Sequence, residues 1–242
     1  MRNLLYTENL KMKRTMGKRL MVIAPLVNMV LSVFAGVLFY SVAMNWWYVF
    51  IFSVVIAIIC SQIQEKEKKK LDYRNILASP VSFEKYWTAK IFLAAWYATV
   101  SALFVVILIV ATNSIYHSLE FGFGQMIVAA VVMSLLSLYK IPIYMFLAKK
   151  YNVIVVMLVS VISLLIGAGF VEKPYWYLFP MTWCNRAMYQ VLGIMVNGLW
   201  VDEAGKAFII SNTAIAVLVI LSMILCFLFA WITGKLAKRD CQ

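Results

Sequence analysis

The chain has 242 residues, of which 64% are hydrophobic and only 13% charged, with a mean hydropathy of +0.89 and a net charge of +12. A water-soluble globular protein of this size does not carry that composition, so an all-α polytopic membrane protein is expected, forming one transmembrane domain over residues 1–242. Nucleic acid is not an expected partner, because the Lys and Arg residues flank apolar runs instead of forming a basic domain; anionic lipid headgroups and an acidic partner surface are the expected counter-charges.

Residues 1–19 place Leu5, Met12 and Met16 on one side of a helical wheel and Lys11, Arg14 and Lys18 on the other, which predicts an interfacial amphipathic helix. The same basic residues would also serve as a plain anchor on the inner side of a membrane. With no small-residue cleavage site after a short apolar core, no removable signal peptide is expected. Six apolar runs follow, at 20–40, 46–63, 86–111, 124–147, 153–170 and 214–232, each near the roughly 17–25 residues that cross a bilayer. The joints around Asn45 and at Lys149-Lys150 predict tight helical hairpins, while Gly36, Gly167 and Pro142 are breakers that membrane helices tolerate.

Between the second and third runs, residues 64–90 carry 7 basic and 4 acidic side chains. Tyr73, Ile76 and Leu77 fall at i, i+3, i+4 spacing with Lys68, Asp72 and Asn75 turned away, so a short amphipathic helix is predicted before Pro80, with Ser82 capping the next helix and Glu84 in its first turn. A basic inner loop needs no special role, but an apolar face on it suggests a partner groove. Further along, Thr112 to Gly122 forms an outer loop with His117 and Glu120. The last outer loop, 171–207, is too long for a simple connection and concentrates Trp176, Tyr177, Phe179, Trp183, Tyr189 and Trp200, with Pro174 and Pro180 as breaks and a short helix at 187–196. An aromatic belt at the outer interface accounts for these side chains; the sharper reading makes Trp176, Tyr177, Trp183, Tyr189 and Trp200 the entry for an amphiphile.

With the N-terminus inside, 18 of the 22 basic residues lie in inner segments and three (Lys173, Arg186 and Lys206) in outer ones, so both termini are expected to be cytoplasmic. The remaining one, Lys140, sits inside the fourth run about 12–14 Å from its inner end, either snorkelling to that end or serving a gate or subunit contact. There is no GxxxxGK[ST] loop, no HExxH, no GxSxG, no pair of intramembrane carboxylates and no Cys/His spacing for zinc. Of the cysteines, Cys60 and Cys226 lie in apolar runs, Cys241 is near the C-terminus, and Cys184 alone would face outward, so no outer intrachain disulfide is expected.

The Glu-Lys-rich run at 65–70, the Leu-Ala-Ser-Pro-Val-Ser stretch at 77–82, entry to the third crossing through Lys85 and Lys90, and the N-terminal LLYTENLKMKRT together resemble ABC-2 type permeases, particularly those of lantibiotic-immunity ABC transporters. The resemblance implies six crossings, an N-terminal helix along the inner leaflet, and short re-entrant helices between the fifth and sixth crossings. It also implies a coupling helix whose residues Leu71, Asp72, Tyr73, Arg74, Asn75, Ile76, Leu77, Ala78, Ser79 and Pro80 rest on a separate ATPase. That partner, in two copies, would hold ATP and Mg; this chain would bind no cofactor. A related but distinct second permease would complete the pore, and the cargo would be an antimicrobial peptide. The same architecture could move another antibiotic, a lipid or a drug, and a membrane-embedded sensor or scaffold is the rival of a different class. An intramembrane enzyme has only His117 and Glu120 to draw on at the outer face.

Overall fold

The computed structural model describes residues 2–13, 15–71, 81–116, 121–203 and 205–240, which are helical almost throughout, with a lone bridge between Ile194 and Trp200 in place of any strand among the described residues. Four helical segments are long and apolar enough to cross a membrane (Met16–Glu65, Phe83–Asn113, Val153–Phe170 and Asn212–Arg239), and a bent pair, Phe123–Leu136 with Lys140–Lys150, makes a fifth if taken as one.

Helix α1 (Arg2–Lys11) is shorter than the predicted 1–19 and buries Glu8. Met12 packs into the core just beyond it, whereas Met16 is exposed at the start of α2 (Met16–Ser32), so the expected Leu5, Met12, Met16 stripe does not form one face. Thr15 caps α2 by accepting from the Lys18 amide. Pro25, inside α2, has no amide proton for the Met21 carbonyl four residues back, and the Ser101 hydroxyl from a neighbouring helix donates to that carbonyl instead, at 3.2 Å.

The predicted hairpin at Asn45 is not where the chain reverses. Reversal falls at Val33–Leu38, where Gly36 adopts φ 56 and ψ −118, a backbone that a side chain would strain. From there α3 (Phe39–Trp46) runs through a single π-turn into α4 (Phe52–Leu71), and α2 packs back along α4. Asn45 is instead a buried tie, its side-chain amide donating to the Met195 carbonyl at 2.9 Å.

The long α5 (Phe83–Tyr116) precedes α6 (Phe123–Leu136) and α7 (Lys140–Lys150), which meet at 53°. Pro142, expected as a breaker tolerated within one helix, has no amide for the Leu138 carbonyl, which accepts from the Ile141 amide at 3.1 Å instead, and the α-helical ladder breaks over residues 137–139. The hairpin at Lys149-Lys150 is present, and Asn152 caps α8 (Val153–Phe170) through the Val155 amide at 3.1 Å.

In the 171–207 segment the helix is α9 (Pro180–Val191), not 187–196. Pro180, expected as a break, starts it: at the first helical position a missing amide proton costs nothing. Finally Ser211 caps α10 (Asn212–Arg239). Ion pairs and hydrogen bonds bring the start of α5 against α1 and the end of α10, so both chain ends share one end of the bundle, here termed basal.

Gly167 lets α8 and α9 touch: a Cβ there would lie 2.6 Å from the Met181 carbonyl oxygen, whereas one at Gly169 would meet nothing within 4 Å. Gly167→Val should therefore lower the thermal midpoint of the purified chain sharply, with a loss at or beyond the roughly 1–3 kcal/mol usual for overpacking because a backbone carbonyl cannot swing aside. Gly169→Val should leave the midpoint within error.

Candidate coupling site

The stems of the charged loop, the end of α4 and the start of α5, are held by a polar cluster at the basal end. Lys11 on α1 makes ion pairs with Glu8 (2.7 Å) and with Glu67 on α4 (2.8 Å), and its Nζ also donates to the Tyr86 hydroxyl on α5 at 3.4 Å. Lys90, with no exposed surface, lies over the Tyr86 ring at 4.5 Å and donates to Gln64 Oε1 at 3.3 Å. Gln64 reaches Met145 on α7, and Tyr97 donates to Asn9 at 2.6 Å. Around the same mouth Lys149 of α7 donates to the Ala237 carbonyl of α10, Trp87 Nε1 donates to Thr233 at 3.1 Å, and Lys238 pairs with Glu84 at 2.9 Å. Five helices thus meet where the loop leaves the bundle.

Partial burial pulls the Lys11 ammonium down, but the hydrogen bonds and charges of Glu67 and Glu8 outweigh it and hold the group above the ordinary lysine value. For Glu67, partial burial pushes up, and the Lys90 charge together with the Lys11 hydrogen bond brings it below the ordinary carboxylate value. Each opposite charge favours the ionised form of the other, so the clasp is a charged one at neutral pH.

A second polar system lies within the bundle. Lys140, 8% exposed, does not run to the basal end as a snorkelling side chain would; it turns inward and donates to Ser53 Oγ on α4 at 3.3 Å. Ser160 on α8 also donates to Ser53, at 3.2 Å, which fills both lone pairs of that hydroxyl. Ser53 then has its own proton for Tyr144 (3.2 Å), Tyr144 has its proton for Ser163 (3.3 Å), and Ser163 donates to the Ser160 carbonyl (2.9 Å). Every hydroxyl dipole in this chain is oriented to accept at the ammonium end, and Lys140 makes no ion pair among the described residues. Its spacing to Tyr144 and the Ser160–Ser163 spacing each put two polar groups on one helix face, a signal present in the sequence but visible only once Lys140 is known to point inward.

The predicted site residues are distributed unevenly. Leu71 ends α4, and Asp72 to Pro80 lie outside the described residues, as do His117 and Glu120. Trp183 and Tyr189 are buried: Trp183 Nε1 donates to the Tyr177 carbonyl at 2.9 Å and Tyr189 donates to Glu172 at 3.0 Å. Arg186 organises this end, lying 5.1 Å from the Trp176 ring and 5.0 Å from Phe208 while donating to the Val171 carbonyl. Tyr177 is exposed, and Trp200 packs apart from the others, against Phe121.

Because Glu67 is held below its ordinary value, its contribution to stability is present above about pH 4.3 and disappears as the pH falls through the lowered value; Lys11, held above its ordinary value, contributes below about pH 10.4 and loses this as the pH rises through the raised one. The protection factor for hydrogen exchange over residues 2–11, taken against the intrinsic amide rate at each pH, should therefore be high at neutral pH and fall on acidification. Glu67→Gln should show the low protection at pH 7 already and little further change in acid.

Residues 4–167 match the family model described as "ABC-2 family transporter protein". Neither a curated protein nor a solved structure matches the chain. The match covers α1 from Leu4 onward, both stems of the charged loop, the Lys140 network and α8 up to Gly167, and the chain belongs to the ABC-2 transporter family as an integral membrane permease.

Proposed function

We propose that this chain is the permease subunit of an ATP-driven exporter in a bacterial cytoplasmic membrane, working with two copies of a separate ATPase and with a second, related permease. The observation that carries the reading is the basal clasp: both stems of the charged loop are locked by ion pairs and buried polar contacts to α1, α7 and α10, so a force applied to the loop reaches the membrane helices. ATP and Mg would reside on the partner. Six crossings are the reading that unites the fold-back at Gly36 with the bent α6–α7 pair, and the excess of basic residues on inner segments supports cytoplasmic termini.

In this mechanism residues 71–80 dock on the ATPase, whose closure on ATP pushes α4 and α5 against α7, and the Lys140 network is the intramembrane contact that rearranges. The proposed cargo is an antimicrobial peptide of the lantibiotic type, taken from the outer leaflet and released outward to give self-protection or resistance. Exposed Tyr177 and Trp200 support entry of an amphiphile there, while α9 would be the re-entrant helix behind them.

Affinity purification of the tagged chain in mild detergent should recover an ATPase with a phosphate-binding loop. Recovery of the chain alone, under conditions that preserve ABC complexes, would favour a sensor instead. Ile76→Asp or Leu77→Asp should abolish that recovery while leaving the membrane helices folded. Lys140→Met should assemble normally and lose transport in peptide-resistance assays; full transport would remove Lys140 from the mechanism.

A further inference from the structure

Between α1 and α5 lies an apolar groove of about 540 Å³, lined on the α1 side by Arg2, Leu5, Tyr6 and Asn9 and on the α5 side by residues that include Phe92 and Trp96. The α1 residues fall at i, i+3, i+4 and i+7, one continuous helix face. Its volume is within the usual range for small-molecule sites, but its rim is the opposite of a protein core: Tyr6, Phe92 and Trp96 are 65, 52 and 64% exposed. Two of its polar lining side chains are short of partners. Arg2 makes no ion pair and no hydrogen bond among the described residues, and Asn9 uses its carbonyl oxygen for Tyr97 while its amide protons have no partner there.

The level of this groove in the membrane follows from helix length. At 1.5 Å per residue, a hydrocarbon core about 30 Å thick takes about 20 residues of α5. Counted back from Ala111, where the apolar run ends, they reach Phe92, so charged Glu84, Lys85 and Lys90 lie outside the core and the groove opens at its basal boundary. Interfacial Tyr and Trp side chains belong at that level.

We propose that this groove is a binding site for one anionic phospholipid of the basal leaflet, which is the cytoplasmic leaflet in the orientation proposed above. The phosphate pairs with Arg2, assisted by the unpaired first-turn amides of α1; the Asn9 amide donates to a glycerol ester carbonyl; and an acyl chain lies along Leu5, Leu93 and Phe92. An uncompensated guanidinium lining an apolar groove selects an anionic amphiphile over a zwitterionic one, and the depth at a leaflet boundary selects a lipid over a soluble anion. Bound lipid would hold α1 against α5 from the side opposite the Lys11–Glu67 clasp.

The full chain, reconstituted in nanodiscs of equal phosphatidylglycerol and phosphatidylcholine, would be released and its retained lipid counted by native mass spectrometry. One phosphatidylglycerol should survive in preference to phosphatidylcholine. Arg2→Gln should lower affinity for phosphatidylglycerol about tenfold, the loss of one charge-assisted contact, and Ala95→Trp, which fills the groove, should remove the retained lipid of either kind. Equal retention of both lipids, or unchanged selectivity in Arg2→Gln, would overturn the proposal. So would inorganic phosphate displacing the lipid at millimolar concentration, which would make this a free-anion site. If Ala95→Trp fails to fold, Arg2→Gln on the exposed end of α1 still decides the matter.

Discussion

A helix interrupted inside hydrocarbon frees backbone groups that no water can satisfy, and this constraint shapes the packing of the whole bundle. Pro25 releases the Met21 carbonyl, and Ser101 of α5 comes to meet it. At the break between α6 and α7 the Leu135 carbonyl receives the Ser222 hydroxyl of α10 at 2.9 Å. Beyond α9 the irregular backbone at Ile194 and Met195 is taken up by Tyr48 and Asn45. Each repair joins segments remote in sequence, so the points at which the chain departs from regular helix are also those at which its helices are fastened together. A side chain that would be a weak contact in water becomes a positional constraint here, since a carbonyl short of its regular helical donor has no water to turn to in lipid.

Hydropathy alone located the apolar runs, the Lys149-Lys150 turn and the charged loop, because these depend on which residues leave water. It puts the first reversal at Asn45 and leaves Gly36 as a breaker tolerated within a helix, since apolar content carries no information about φ, and a glycine that continues a helix reads the same as one that reverses it. Pro142 and Pro180 exchanged roles for a related reason. A proline is silent at a helix start, as at Pro180, but cannot carry on a ladder arriving from a preceding helix, as Pro142 would have to from α6, and the start of α9 is decided by what it packs against. Lys140 is recognisable in the sequence as an intramembrane charge, but its direction is not, because snorkelling and inward hydrogen bonding differ only in whether Ser53, on α4 with two helices intervening, stands opposite. Lys11, Glu8, Glu67 and Lys90 looked like ordinary members of basic segments, and only the packing of α1 onto α5 reveals that they neutralise one another.

Both polar systems are carried by the same two helices. Ser53 and Glu67 are separated by about 21 Å along α4, and Lys140 and Lys149 mark the two ends of α7. Three contacts fasten the two helices to each other: Lys140 on Ser53, the Cys60 thiol on the Ile141 carbonyl, and Gln64 of the basal cluster on Met145. With contacts at three heights, α4 and α7 cannot slide past one another without breaking all three sets, so displacement of α4 at the basal end carries α7 with it. The compliant place is then the 53° joint above α7, where the backbone ladder is already interrupted. Lys140 sits at that joint, held by a hydroxyl chain with no carboxylate among the described residues to lock it, and hydroxyls reorient at far lower cost than a buried ion pair separates. The arrangement therefore combines a fastened pair of helices below with a polar joint above whose hydroxyls can exchange partners, which is what the proposed lever, driven from its basal end, would require.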